Sequence, residues 1–399
     1  MKQCTRIKTL HKITILMKIR LIIPLISFAW LSSLCMGQGL SREQAENVRK
    51  DVIDNWVKEV RERTDYITDR QAITRDGLEM KLSCSVFGQV PSDGHSLFIS
   101  LHGGGNTPKE VNDQQWQNQW RLYAPKEGVY ICPRAPYNDW DMHFKKGLDE
   151  FYKDIILYAY THMKVNPDKV YILGYSAGGD GVWRLAPRMA DTWAAASMMA
   201  GHPGDVSLVN LRNTPFMVWC GALDAAYDRN RKCAERIAEL DSLHSADKEG
   251  YTYEGHIVEG KPHWMDRVDT LAVEWMAQYR RNPYPKTIVW RQEEVVHEHF
   301  YWISAPKEEL ERGKEVRIRV AGNTIFIDKC DYSTLTFGLN DKIVDLDKPV
   351  TIKYGKKTLA KKRLQRSRDI MEQTLHERDD ARYAFDAKIT VKNPGNPKF

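Results

Sequence analysis

The sequence predicts an α/β fold: a mostly parallel, doubly wound sheet followed by a small all-β unit. Short apolar runs at 96–101 (SLFISL), 128–132 (GVYIC), 170–173 (VYIL), 194–199 (AAASMM) and 215–220 (PFMVWC) lack the alternation of a half-exposed strand. Both of their faces are therefore expected to be covered. Helical patterns near 113–124, 147–163, 177–190 and 229–243 separate these runs, the βαβ rhythm of a parallel sheet. After residue 281 that rhythm stops, and β-type runs follow one another with no long helix between them.

In chain order, the first segment reads as an address. Leu21 to Met36 is an apolar run of 16 residues behind Lys18 and Arg20, interrupted by Pro24 and several serines. That is short for a membrane span and fits a cleaved secretory signal over 1–37, with small residues preceding Gln38. Met17 would start a leader of ordinary length. Cys35 suggests a lipoprotein, but Leu34 before it fits that processing poorly. A secreted or periplasmic location follows, with no integral span. The leader holds six Lys/Arg and no acid, so its removal takes 59 basic residues to 53, equal to the 53 acidic ones. The formal +6 thus gives no reason to expect a nucleic-acid partner. Five of the seven cysteines remain, at 84, 132, 220, 233 and 330, with no CxxC spacing for metal or redox chemistry.

Residues 38–74 form a helical segment: behind the cap-like Ser41, Val48, Val52, Ile53, Trp56, Val57 and Val60 make one apolar face. From Leu78 the alternation Leu78, Met80, Leu82, Cys84, Val86 marks a half-exposed strand. Tyr251–Val258 is a further strand and Asp266–Tyr279 a helix, closing a domain over 75–281. Asn282-Pro-Tyr-Pro285 reads as a linker. The unit over 282–399 has strands at 286–290, 299–303, 315–320, 323–328, 333–339 and 349–354, a charged helical stretch from Lys356 to Arg382, and a return strand at 384–391.

Four features then fall at predicted C-terminal strand ends, where open α/β sheets bind ligands. Gly103, Gly104 and Gly105 follow His102 after the strand SLFISL and let the backbone turn N–H groups into a crevice. Gly174-Tyr-Ser-Ala-Gly178 is a Gly-x-Ser-x-Gly turn opening a helix, which would expose Ser176 and aim the Ala177 N–H at a developing oxyanion. Asp224 ends the strand PFMVWC in Gly-x-x-Asp, with Asp228 as its rival. His263 lies in the short loop Gly260-Lys-Pro-His-Trp264; His256 is a weaker rival inside a strand pattern. A lone Gly-x-Ser-x-Gly or a lone histidine is usually structural, but the order Ser176, Asp224, His263 is the order a nucleophile, its orienting acid and its base require in this architecture.

On HGGG at 102–105, VNPDKVYILGYSAGG at 165–179, AAASMMAG at 194–201, WCGALD at 219–224 and KPHW at 261–264, residues 75–281 resemble the α/β-hydrolase esterases that include polyhydroxybutyrate depolymerases, feruloyl esterases and acetyl-xylan esterases, with prolyl-oligopeptidase-like relatives. The resemblance implies Ser176 as nucleophile, His263 as base, Asp224 as its orienter, an oxyanion hole from Ala177 and an N–H within Gly103–Gly105, and no metal or cofactor. It spans roughly half the chain and does not carry substrate preference, and Gly179 departs from several relatives.

Softer substrate-binding candidates are Tyr175, Trp140 and Asp141 (with His143 nearby), and His202 before Pro203-Gly204; plain loop packing explains them as well. His297 and His299 share His-x-His spacing without the rest of a zinc set. The expected activity is hydrolysis of small or polysaccharide-linked esters. A prolyl-oligopeptidase-like peptidase is the enzymatic alternative, though residues 38–74 are too few for the gating propeller that family carries. A non-catalytic polysaccharide-binding protein on a hydrolase scaffold is the third reading.

Overall fold

The computed structural model describes residues 39–392 and Pro394. The expected leader over 1–37 lies outside them. Residues from Gly39 onward form a single compact unit.

The sheet that positions the site has eight strands: β1 (Ala72–Arg75), β2 (Leu78–Phe87), β3 (His95–Leu101), β4 (Gly128–Arg134), β5 (Val165–Tyr175), β6 (Ala195–Met199), β7 (Phe216–Gly221) and β8 (Tyr253–Val258). Their order is β1-β2-β4-β3-β5-β6-β7-β8. β1 with β2 and β2 with β4 run antiparallel; every pairing from β4–β3 to β7–β8 is parallel. This is the α/β-hydrolase fold, and the apolar runs account for it. β3, β4, β6 and β7 are buried at every residue, because helices cover both faces. One face packs Ile99, Ile131, Ile172 and Val218 with Trp183, Tyr152 and Ile155. The other packs Phe98, Tyr130, Tyr171 and Met217 with Trp275 and Met276.

The N-terminal helix Arg42–Thr64 starts in a capping box in which Ser41 and Gln44 satisfy each other's N–H groups. Its apolar face lies on Met371 and Leu375 of the helix Arg368–Arg378, and Trp56 Nε1 donates to Asp379 (3.1 Å). The first and last described α-helices are thus packed together.

Beyond Arg281 two sheets share one core containing Trp290, Trp302, Ile318 and Phe337. One sheet, in spatial order, holds Lys357–Lys362, Val350–Tyr354, Thr324–Cys330, Glu315–Ala321 and Thr287–Arg291. The other holds His299–Phe300, Ile303–Ser304, Thr334–Leu339 and Ala387–Lys392. The seam against the larger sheet is polar: Arg291 N–H donates to Asn210 (2.7 Å), Arg281 pairs with Asp380 (2.6 Å) and His297 with Asp149 (2.9 Å).

Three expectations are corrected here. The charged stretch from Lys356 is a strand before it is a helix, because Lys357–Lys362 pairs antiparallel with Val350–Tyr354. The run at 299–303 splits into two short strands around Tyr301, whose φ of 52° is left-handed. The helix expected from Asp266 to Tyr279 shrinks to Val268–Thr270 and Leu271–Met276, because Asp266 and Arg267 take φ of 53° and 66°. All five cysteines at 84, 132, 220, 233 and 330 are free thiols. Among the described residues no helix is long and apolar enough to cross a membrane.

Candidate active site

Ser176 sits on the turn between β5 and the helix Ala177–Arg188 with φ 58° and ψ −122°. A non-glycine residue held there stores on the order of 1–3 kcal/mol of strain. The flanking glycines make the turn possible. A Cβ on Gly174 would lie 2.3 Å from the Gly178 carbonyl oxygen, and one on Gly178 would lie 2.0 Å from that of Leu101. Both obstacles are backbone and have no room to yield. Ser176 N–H donates to the Met199 carbonyl (2.9 Å), pinning the turn to β6.

His263 Nε2 lies 3.0 Å from Ser176 Oγ, and its Nδ1 lies 2.7 Å from Asp224 Oδ2. With Nδ1–H donating to the carboxylate, Nε2 is the acceptor facing the serine hydroxyl. The Asp224 side chain is 1% exposed. Its other oxygen, Oδ1, accepts from Arg229 Nη1 (2.6 Å). Burial alone would raise this carboxyl; the His263 hydrogen bond and charge and the Arg229 guanidinium overcome that and hold it below the usual carboxylate range. The rivals stand elsewhere: Asp228 is exposed and paired with Arg231 (2.8 Å), and His256 stacks on Trp219 (3.9 Å) beside Glu254.

The glycine loop is braced from beneath. His102, fully buried, donates from Nδ1 to the Gly103 carbonyl (2.6 Å) and accepts at Nε2 from the Ala135 N–H (3.2 Å), so it is neutral. Burial, then the neighbouring His143, lowers it well below the usual histidine range. His143, pushed down to about 4 by burial, donates to the His102 carbonyl (2.8 Å). Gly104 and Gly105 take φ of 105° and 81°. The expected use of Gly105 as an oxyanion donor needs correction: its N–H is committed to Asn112 Oδ1 (2.9 Å), whose amide is itself held by the Thr107 carbonyl (3.0 Å). The N–H groups of Gly103 and Gly104 have no acceptor among the described residues, and Ala177, first in its helix, has none a turn back. Gly103 stands so close to Ser176 that a Cβ on it would touch the serine Cβ at 3.4 Å.

A cleft of about 660 Å³ opens over Ser176 and His263. Its walls come from Gly103, Gly104 and the helix Lys109–Leu122 on one side and Tyr175, Trp264 and Arg267 on the other. No described residue beyond Arg267 lines it. Tyr175 contributes its ring, while its hydroxyl donates to the His263 carbonyl (2.6 Å) and accepts from the Met265 N–H (3.2 Å), fixing the histidine loop. Trp140, Asp141 and His202 are not among the lining residues. Trp140 packs edge-on against Phe144 (5.3 Å), Asp141 pairs with Lys145 (3.1 Å), and the His202 N–H is held by Asp180 (2.5 Å). Asp180 lies one turn after Ser176, and burial pushes its carboxyl up to about 6. Sequence reasoning missed Arg229, Asn112, Trp264 and the cleft-facing helix. Arg229 follows Asp224 by five residues, a spacing that carries no signal until the loop is folded.

Among the described residues no group of three or more His, Cys, Asp or Glu side chains is arranged to hold a metal ion. His297 is engaged by Asp149.

No protein-family model matches the chain, and no curated protein matches it. Among solved structures, it is similar to a thermostable esterase at 21% identity and a TM-score of 0.41, over 53% of this chain and 62% of that one. It is similar to fluorophosphonate-binding serine hydrolase F of Staphylococcus aureus at 14% and 0.37, over 52% of this chain and 96% of that one. A mutant of the feruloyl esterase module from Clostridium thermocellum, complexed with sinapinate, stands at 13% and 0.38, over 52% and 86%.

Proposed function

We propose that this chain is an exported serine hydrolase that cleaves carboxylic ester bonds, with acyl groups on carbohydrate as its substrate class. The observation that carries the reading is the unbroken row Asp224 Oδ2, His263 Nδ1, His263 Nε2, Ser176 Oγ, at 2.7 and 3.0 Å, opening into a cleft. His263 Nε2 takes the hydroxyl proton as Oγ attacks the ester carbonyl. The N–H of Ala177 and those of Gly103 and Gly104 hold the oxyanion, in place of the wider glycine set. The alcohol leaves with the proton from His263, and water, deprotonated by the same imidazole, releases the acid from the acyl-enzyme. Asp224 keeps the imidazole in the tautomer that accepts at Nε2 and stabilises the imidazolium.

The carbohydrate part rests on Trp264, 45% exposed beside Tyr175 in the cleft, a stacking surface for a sugar ring. Export rests on the leader over 1–37. In this reading 75–281 is the catalytic domain and 282–399 an accessory β-rich domain, consistent with a cleft whose described lining runs from Gly103 to Arg267. The test is hydrolysis of p-nitrophenyl acetate and of acetylated oligosaccharides by the wild type and by Ser176→Ala. Turnover that survives the substitution overturns the proposal, and faster cleavage of proline-containing peptide anilides redirects it to a peptidase.

A further inference from the structure

Among the described residues, two arginines and no acid line the cleft over Ser176. Arg121 and Arg267 line it, and no described Asp or Glu does. The described part of the chain is dense in ion pairs, yet the Arg121 side chain makes no hydrogen bond and no ion pair there, and Arg267 makes no ion pair there. Neither neighbouring acid forms an ion pair with Arg267, although the Asp269 carboxylate feels its charge. Asp266 pairs with Lys261 (2.7 Å), and Asp269 is fully buried and accepts from Tyr123 Oη.

The fold brings both residues to one end of the helix Lys109–Leu122. Arg121 is in the last turn of the helix Lys109–Leu122, and Arg267 Nη2 donates to the Leu122 carbonyl at that same helix end (2.9 Å). A helix C-terminus carries roughly half a negative charge, which explains one cation there but offsets only a fraction of two. Arg267 is also held at φ 66°, a conformation an arginine adopts only when its surroundings impose it. The rest of the helix-side wall is uncharged, from Val111, Gln115, Asn118 and Leu122, and Trp264 adds an aromatic face beside Arg267.

We propose that the ester substrate is anionic: it carries a carboxylate, on the acyl or the sugar side of the scissile bond, that docks between Arg121 and Arg267 while Trp264 covers the adjoining ring. The inference rests on the esterase reading and narrows its substrate class. Guanidinium suits the task because its fork matches a carboxylate in two hydrogen bonds and stays charged throughout the working range. The reaction is otherwise unchanged. Water adds across the ester bond, giving an acid and an alcohol, one of which keeps the extra carboxylate.

The experiment compares kcat/KM within two matched pairs. p-Nitrophenyl hemisuccinate against p-nitrophenyl butyrate puts the charge on the acyl side; an acetylated methyl glucuronoside against the acetylated methyl glucoside puts it on the sugar side. Wild type is expected to prefer the charged member of one pair by about tenfold at low salt, the scale of two partly exposed ion pairs. The preference should shrink at about 1 M salt, where the screening length falls to about 3 Å. It should approach unity in the Arg121→Gln/Arg267→Gln double variant and reverse in Arg121→Glu. The pair that responds identifies the side bearing the carboxylate. Equal rates within both pairs in the wild type, or a preference that survives the double variant, overturn the inference while the esterase reading stands. No turnover of any ester, with Ser176 intact, overturns the esterase reading and this inference with it.

Discussion

Replacing Arg229 by methionine tests whether the Asp224 carboxylate depends on its second partner. Among the described residues Arg229 Nη1 is the only hydrogen-bond donor to Asp224 Oδ1, at 2.6 Å, and the two side chains are 9% and 1% exposed. Breaking a buried pair from one side costs about 3–5 kcal/mol, because a charge is left without compensation. Here the His263 bond at 2.7 Å remains and methionine retains most of the packing volume, which lowers the expected cost to about 2–4 kcal/mol. At about 2 °C per kcal/mol for a chain of this size, that is a fall in Tm of about 4–8 °C.

The sign with pH follows from the carboxyl's position below the usual carboxylate range. A group with a depressed native pKa contributes stability above its unfolded value, about 3.9, and loses it as pH falls through the native value. Differential scanning calorimetry of wild type and Arg229→Met from neutral pH downward should therefore show the widest Tm gap at neutrality, closing below about pH 4. A gap that is absent at neutrality, or that widens on acidification, refutes the reasoning.

Asn112→Ala removes the acceptor of the Gly105 N–H (2.9 Å) and loosens the loop that presents Gly103 and Gly104, so kcat should fall roughly 10- to 100-fold with KM little changed, less than the on the order of 10²–10³ lost with a true oxyanion donor. Steady-state kinetics decide, and an unchanged kcat contradicts the bracing role. Gly178→Ala puts a Cβ 2.0 Å from the Leu101 carbonyl oxygen, so thermal unfolding should show a loss of about 3 kcal/mol or more; a variant as stable as wild type contradicts the account of the elbow. Asp180, raised to about 6 by burial, binds a proton in the native state that the unfolded chain has released, so it weakens the fold as pH rises from about 4 to about 6. Asp180→Asn keeps an acceptor for the His202 N–H (2.5 Å) and should be more stable than wild type by about 1 kcal/mol at pH 7 and equal to it near pH 4; equal melting at both pH values counts against it.

The parallel sheet was legible in the sequence because β3, β4, β6 and β7 are buried on both faces, which requires unbroken apolar runs. The elbow was legible for a related reason: only glycine fits at 174 and 178, so the backbone's needs appear as residue identity. Arg229 and Asn112 left no such trace. Their partners, Asp224 and the Gly105 N–H, meet them only once the loops have folded, and many other residues at those positions would read the same. Lys357–Lys362 looked helical because its charges face water, whereas what makes it a strand is a pairing with Val350–Tyr354. Arg267 and Tyr301 take left-handed conformations that neither favours, and Asp266 one that aspartate merely tolerates, so the breaks they make in expected elements leave little local sequence mark. The packing of Trp56 on Asp379 lies 323 residues apart in the chain, beyond any periodicity argument.

The central claim is that Ser176 is a nucleophile activated by His263, and covalent labelling tests it most directly. A fluorophosphonate probe incubated with the full chain, followed by intact-mass and peptide mapping, should add one probe per molecule on Ser176. Ser176→Ala should take up none, and His263→Ala should label slower by on the order of 10³-fold or more. Labelling elsewhere, or labelling of Ser176 at an undiminished rate without His263, would contradict the account.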